Sequence, residues 1–281
     1  MKDSLVKFPN NLCILFHCLY KKEFGQPLVN KNLFVDVNEL KEFCVKLKNE
    51  GYNFCLPETA LPDRKNCILT FDDGYKNNML FLEIAYELEI PFIIFIAPYY
   101  ISNQLPYIWD LVEYCNLKFH YWKEDYVSFF NNFTHNIDEL RKSNLHKPMS
   151  LEDISEMKKS KYANFAFHTD IHQPMVKYGE QYFDREFKES KKFFDIYIKN
   201  YLNHFAFPNG LYTSKSLLRA IKTYDYIYTI FPGEFKLNEQ IIPRFSLINS
   251  RYGSLISQVN SKLNWLKVTY MQLKAYQYSN F

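Results

Sequence analysis

Short apolar runs alternate with longer amphipathic stretches along most of the chain. Residues 13–16, 67–71, 92–96, 164–167, 204–207, 226–229 and 241–243 read as brief strands. Several are apolar at every position, the pattern of a parallel sheet covered on both faces. Residues 36–50 read as a helix. Leu40, Phe43, Cys44 and Leu47 recur at i, i+3, i+4 and i+7, Asp36 with Glu39 forms a candidate capping box, and Gly51 supplies the stop. Further helices are expected over 77–89, 109–117, 151–159, 181–201, 214–223 and 254–274. The segment 102–150 breaks the alternation and reads as an irregular insertion. No internal repeat and no Pro/Gly/Ser-rich linker divides the chain. Residues 1–281 are therefore expected to form one α/β domain, either a barrel or an open sheet. In both architectures the loops that follow the strands carry the chemistry.

Composition changes this picture little. Hydrophobic residues make up 47% of the 281, ample for a core. Aromatic residues reach 19%, which suits a sugar-binding surface and equally a Phe- and Tyr-rich composition. A net charge of +3 argues against nucleic-acid binding by bulk electrostatics. Charge is unevenly spread: after Glu239 no acidic residue occurs, while Arg244, Arg251, Lys262, Lys267 and Lys274 do. A basic C-terminal helix over about 254–274 would present either a solvated face or a docking face for an anionic lipid or a diphosphate-bearing substrate. The six cysteines form no C-x-x-C pair, no signal-peptide pattern is visible at Met1–Asn11, and no stretch is apolar enough to span a bilayer. Reduced, buried thiols in a cytoplasmic protein, peripherally membrane-associated at most, are the expectation.

Three polar clusters follow short apolar runs. Asp72-Asp73-Gly74 puts two adjacent carboxylates after a buried strand, a costly arrangement unless something cationic compensates them. His168-Thr169-Asp170-Ile171-His172 spaces two imidazoles so that both reach one ion. With one carboxylate they form a His–His–Asp set suited to Zn²⁺ or a similar transition ion. Pro208-Asn209-Gly210 is the third. Each cluster alone also reads as an ordinary turn or a pair of solvated histidines.

Together the clusters resemble the polysaccharide deacetylase family with the NodB homology domain (carbohydrate esterase family 4). Thr70 to Gly74 is similar to its T-F-D-D-G motif, His168 to His172 to its H-[ST]-x-x-H motif, and Phe205 to Gly210 to the F-A-Y-P-Y-G form of its third. Leu12 to His17, the helix from Asp36 and the pair Trp109-Asp110 fall in family order. The resemblance implies a distorted (β/α) barrel of the NodB homology type, with parallel strands and outer helices. It implies a metal-dependent hydrolase that removes an N-acyl group, acetyl above all, from an amino sugar. Asp73, His168 and His172 would hold one divalent ion, Zn²⁺ first. Asp72 would act as general base, and the backbone N–H of Asn209, carried by Pro208, as second oxyanion donor. The substrate would be an amino-sugar glycan or a lipid- or nucleotide-linked precursor.

The chain departs from the family pattern in two places. The third motif lacks its Arg, a charge that Arg244, in Ile-Pro-Arg-Phe, could supply, although a surface salt bridge is an equal reading of that residue. No histidine follows His204, so His17 is the candidate general acid, with a buttressing role as its alternative. His204 is expected to be structural, and His120, His135 and His146 solvated. Trp109 and Tyr212 could stack on a sugar ring or serve as packing. A deformylase or other C–N hydrolase acting on a sugar, a non-catalytic glycan-binding barrel and an assembly partner acting through 102–150 are the competing functions.

Overall fold

Strands form where the apolar runs predict them, and all of their pairings are parallel. In this computed structural model residues 8–121, 124–176, 180–249, 253–259 and 270 are described. The strands are β1 (Asn11–Phe16), β2 (Cys18–Tyr20), β3 (Phe34–Asp36), β4 (Tyr52–Phe54), β5 (Lys65–Phe71), β6 (Phe92–Ile96), β7 (Ala163–Phe167), β8 (His204–Ala206), β9 (Tyr226–Tyr228), β10 (Ile241–Ile242) and β11 (Phe245–Ser246). Among the described residues one sheet runs β10-β9-β8-β7-β6-β5-β1-β11, with β4 on the edge of β5 that β6 shares, and β2 pairs with β3 apart from it.

The topology dictates a curled sheet. β10 and β11 are separated only by Pro243 and Arg244, yet they lie at opposite ends of the strand order. Two residues span roughly 7 Å when extended. The two edges must therefore approach each other, which makes the architecture a distorted (β/α) barrel with a seam at Arg244.

Alternation along the strands divides the core. Cys13, Ile68, Ile93, Phe95, Ala166, Ala206 and Tyr228 pack together on one face. Leu12, Ile14, Phe16, Leu69, Phe71, Ile94, Phe165 and Phe205 pack on the other, under the helices. The helix Val37–Asn49 buries the predicted stripe of Leu40, Phe43, Cys44 and Leu47. Its Asp36 cap accepts from the Asn38 N–H, and Gly51, at φ 86°, follows its end. Cys13, Cys18, Cys44, Cys55 and Cys67 are buried free thiols, and Cys115 is partly exposed. No helix among the described residues is long and apolar enough to cross a membrane.

Several elements differ from the periodicity. The stretch expected to be helical over 77–89 begins as a 3₁₀ helix, Lys76–Phe81, and turns α only at Leu82–Leu88. Asn77 and Asn78 cause this, because their side chains bond elsewhere. Asn77 accepts from the Leu19 N–H and donates to the Leu145 carbonyl, and Asn78 donates to the His17 carbonyl. The long helix is Glu180–Phe193, with a π-helical turn Phe194–Ile198 ending it. β2, β3 and β4 are too short to show period-2 patterning. The 102–150 insertion holds short helices at Ile108–Tyr114, Tyr126–Asn132 and Asp138–Lys142. Of the expected basic C-terminal helix, Leu255–Val259 is helical. Arg251, Lys262, Lys267 and Lys274 lie outside the described residues.

Candidate active site

The parallel sheet carries the polar clusters to one end of the barrel. Phe16 of β1 pairs with Phe71 of β5, and the Asp72 N–H donates to the Phe16 carbonyl at 2.9 Å. His17 and Asp72 thus leave neighbouring strands side by side. His168 follows β7 and Asn209 follows β8, both at the same C-terminal end. The loops open onto a cavity of about 400 Å³. Asp72, Asp73, His168, His172, His17 and Asn209 all line it.

Asp72 is buried, and its compensating cation is Arg244. The guanidinium grips the carboxylate as a fork, Nη1 to Oδ1 at 2.7 Å and Nη2 to Oδ2 at 2.9 Å. Nε donates to the Thr229 carbonyl at 3.1 Å and Nη1 also reaches Thr70 Oγ1 at 3.2 Å. The rings of Phe95 and Tyr228 lie 5.5 and 5.8 Å from the guanidinium carbon. Burial alone would push the Asp72 carboxyl upward, but Arg244, joined by His168 and His17, offsets it and holds the group below the usual carboxylate range. Arg244 is fully buried, so of its two readings from sequence the partner of Asp72 fits this position and the surface salt bridge does not.

Asp73 turns the other way. It sits at φ 77°, and Gly74 follows at φ 85°, where an added Cβ would meet Ile96 Cγ2 at 2.7 Å. Asp73 Oδ1 lies 3.1 Å from His172 Nε2 and 3.5 Å from His168 Nε2. Burial works against its charge, so a positive charge beside it, carried by His168 and His172 when they are protonated, is what holds it far below the normal range. His172 is depressed by burial against the opposing pull of Asp73.

The three ligand atoms lie within 4.8 Å of one another. Ligands about 2.1 Å from a tetrahedral ion stand about 3.4 Å apart, so this spacing fits a single ion. Two further observations agree. Asp73 Oδ1 is buried with no hydrogen-bond partner. The His168 Nδ1–H donates to the Ala206 carbonyl at 2.7 Å, which leaves the Nε2 lone pair facing Asp73. The His168–His172 loop bends through two left-handed residues, Thr169 at φ 61° and His172 at φ 60°. Thr169 Oγ1 accepts the His172 N–H at 3.0 Å, which partly offsets that strain.

The remaining candidates are distributed unevenly. His17 is half-buried at the cavity, and its Nδ1 has no hydrogen-bond partner. Asn209, at φ 55°, is exposed at the cavity over buried Pro208, with Gly210 wedged against Ile230. Trp109 lines the cavity, its ring 4.4 Å from that of His172. Tyr212 is not among the residues that line the cavity and packs on Phe207 at 4.8 Å, which fits the packing alternative. His204 is buried and bonded to Glu58 at 2.6 Å, while His120 and His135 are exposed. His146 corrects the solvated assignment: it is fully buried against Asp110 at 3.1 Å. The cavity also takes Asn30, Asn32 and Tyr121, which sequence reasoning missed. They lie in segments without periodicity, and the nearest signal is the turn-forming Asn-Lys-Asn at 30–32.

Comparison with known proteins agrees with this architecture. The family profile described as polysaccharide deacetylase matches residues 60–228. No curated protein matches the chain in sequence. A polysaccharide deacetylase from Bacillus cereus superposes with a TM-score of 0.61 at 18% identity, over 88% of this chain and 68% of that one. A de-N-acetylase from Aggregatibacter actinomycetemcomitans superposes with a TM-score of 0.64 at 16% identity, over 88% and 98%. A deacetylase from Streptococcus pyogenes gives 0.57 at 19% identity, over 85% and 93%. At these identities the likeness speaks to the fold.

Proposed function

The chain belongs to the polysaccharide deacetylase family, and on that premise we propose that it is a metal-dependent hydrolase removing an N-acetyl group from an amino sugar of a glycan or glycan precursor. One observation carries the proposal: Asp73, His168 and His172 converge within 4.8 Å beside a second, ionised carboxylate on Asp72. A divalent ion such as Zn²⁺ held by those three side chains would supply an acidified water and polarise the amide carbonyl.

The chain's own groups account for the rest. Asp72 keeps its charge at neutral pH because Arg244 occupies one lone pair on each oxygen, and the remaining lone pairs can take a proton from the attacking water. The backbone N–H of Asn209 at the cavity rim is the second donor for the developing oxyanion. Three imidazoles line the cavity among the described residues, and two of them belong to the ion. His17 is left to protonate the departing amine. Trp109 offers an aromatic face for the sugar ring. The lining contains no Lys or Arg among the described residues, which favours an uncharged amino-sugar ring over a diphosphate as the group bound there.

Acetate release from a panel of N-acetylated amino sugars, before and after chelation and zinc readdition, tests the reading. Wild-type protein should lose activity with the ion and regain it. Asp72→Asn should fall by at least a hundredfold while still binding zinc. Equal rates in the two proteins would overturn the assignment of the base, and formate release alone would move the reaction to deformylation.

A further inference from the structure

A third buried carboxylate, apart from Asp72 and Asp73, organises part of the cavity lining. Asp110 is fully buried in the insertion. Its Oδ2 accepts the Tyr75 hydroxyl at 3.0 Å and contacts His146 Nδ1 at 3.1 Å. His146 Nε2 must accept, because its other partner is the Leu28 N–H at 3.0 Å. The imidazole is therefore neutral, with its proton on Nδ1 and directed at Asp110. Tyr75 in turn accepts the Trp109 indole N–H at 2.6 Å. Asp110 Oδ1 accepts from Asn30 Nδ2 at 2.7 Å. One carboxylate thus holds two residues of the cavity lining, Trp109 through Tyr75 and Asn30 directly.

The Asn30 bond has a chemical consequence. A carboxylate only accepts, so the amide of Asn30 must turn its NH₂ toward Asp110. Its backbone is fixed as well, in the left-handed region at φ 49° with its N–H on Glu113 Oε1 at 3.0 Å. The side-chain oxygen is left over, and no described residue donates to it. Among the described residues, Asn32 and Ser246, also at the cavity, have no comparable side-chain anchor. We propose that Asn30 Oδ1 is a specificity contact that accepts a hydrogen bond from one hydroxyl of the bound sugar, and that Asp110 is the positioning residue that fixes this acceptor and the Trp109 face together. The proposal rests on the amino-sugar reading above and adds to it a required donor on the substrate.

The test uses N-acetylglucosamine oligosaccharides and analogues lacking one ring hydroxyl each, with KM and kcat for acetate release. Asn30→Ala should raise KM about three- to tenfold with kcat nearly unchanged, the worth of one net hydrogen bond. Wild type should show the same rise on one deoxy analogue, and on that analogue Asn30→Ala should cost nothing further. Asn30→Asp, which sets a second carboxylate against Asp110, should be worse than Asn30→Ala. Asp110→Asn should reproduce the loss of discrimination, and if it fails to fold, the two half-buried Asn30 variants carry the test. A KM unchanged by Asn30→Ala, or raised equally on every analogue, overturns this proposal while leaving deacetylation intact. Absence of acetate release from every sugar by wild-type protein overturns the amino-sugar reading and this contact with it.

Discussion

At the scale of single residues, the pair Arg244–Asp72 decides whether the cluster can exist. Removing the cation from a buried pair strands a charge and costs about 3–5 kcal/mol, more than simple loss of contact. Arg244→Ala should therefore lower the melting temperature strongly, read by circular dichroism. Arg244→Lys should keep most of that stability, because a cation remains. It should still lose at least tenfold in kcat/KM, since an ammonium cannot hold both carboxylate oxygens at once. Equal melting temperatures for Arg244→Ala and wild type would mean that Asp72 is not held ionised by this partner. Arg244 was legible as a candidate because the family resemblance calls for an arginine beside the base and this one follows a late strand. Its partner was legible too, because adjacent buried carboxylates require compensation. What pattern could not reveal is that the seam of the barrel would place the guanidinium inside. Asp110 and His146 were opaque for another reason. They lie in the insertion, where polar and apolar positions follow no period, and a buried charge network has no local signature.

At the scale of elements, the His168–His172 loop is held from beneath by the helix Glu180–Phe193. Glu186 is buried, and its Oε2 accepts the Asp170 and Ile171 N–H groups at 3.1 and 3.0 Å. Those bonds fix a loop with two left-handed, non-glycine residues. Burial raises the Glu186 carboxyl, and burial with Glu186 beside it pushes Asp170 up to about 7. Glu186→Ala should weaken zinc binding about ten- to hundredfold, measured by competition with a chromophoric chelator. Glu186→Gln, which still accepts both N–H groups, should stay near wild type, and identical affinity for the Ala variant would remove Glu186 from the site's support. A second element-level prediction concerns the turn after β8. Gly210 sits at φ 62°, and a Cβ there would meet Ile230 Cγ1 at 2.2 Å. Gly210→Ala should cost more than about 1 kcal/mol in denaturant unfolding, because both the backbone and the β-branched neighbour resist. Strand positions and the helix Val37–Asn49 followed from periodicity alone. The 3₁₀ start at Lys76–Phe81 did not, since tertiary bonds to Asn77 and Asn78 override a locally helical pattern.

At the scale of the whole molecule, the alternation of elements predicted an α/β domain and left barrel and open sheet equal, and the family resemblance pointed to the distorted barrel. The structure bears the barrel out through one long-range fact, that β10 and β11 pair at opposite ends of the sheet. The end of the barrel away from the cavity has its own long-range tie. His204, at the start of β8, sends Nε2 to Glu58 at 2.6 Å, and the Tyr228 hydroxyl meets its Nδ1 at 3.2 Å. A hydroxyl donating to Nδ1 leaves the proton on Nε2, directed at Glu58. Burial works to raise the Glu58 carboxyl, and the His204 contact outweighs it, leaving the group below its ordinary value. A carboxylate depressed on folding stabilises above its unfolded pKa, about 4.3, and loses that contribution as pH falls through the folded value. Glu58→Gln retains an acceptor for the Nε2–H but no charge to titrate. Glu58 is exposed, so solvent screens the pair; wild type should melt only slightly above Glu58→Gln at pH 7, and the gap should close as the solution is taken below pH 4. A gap that stays constant into acid would assign the tie to shape and hydrogen bonding alone, with no electrostatic share.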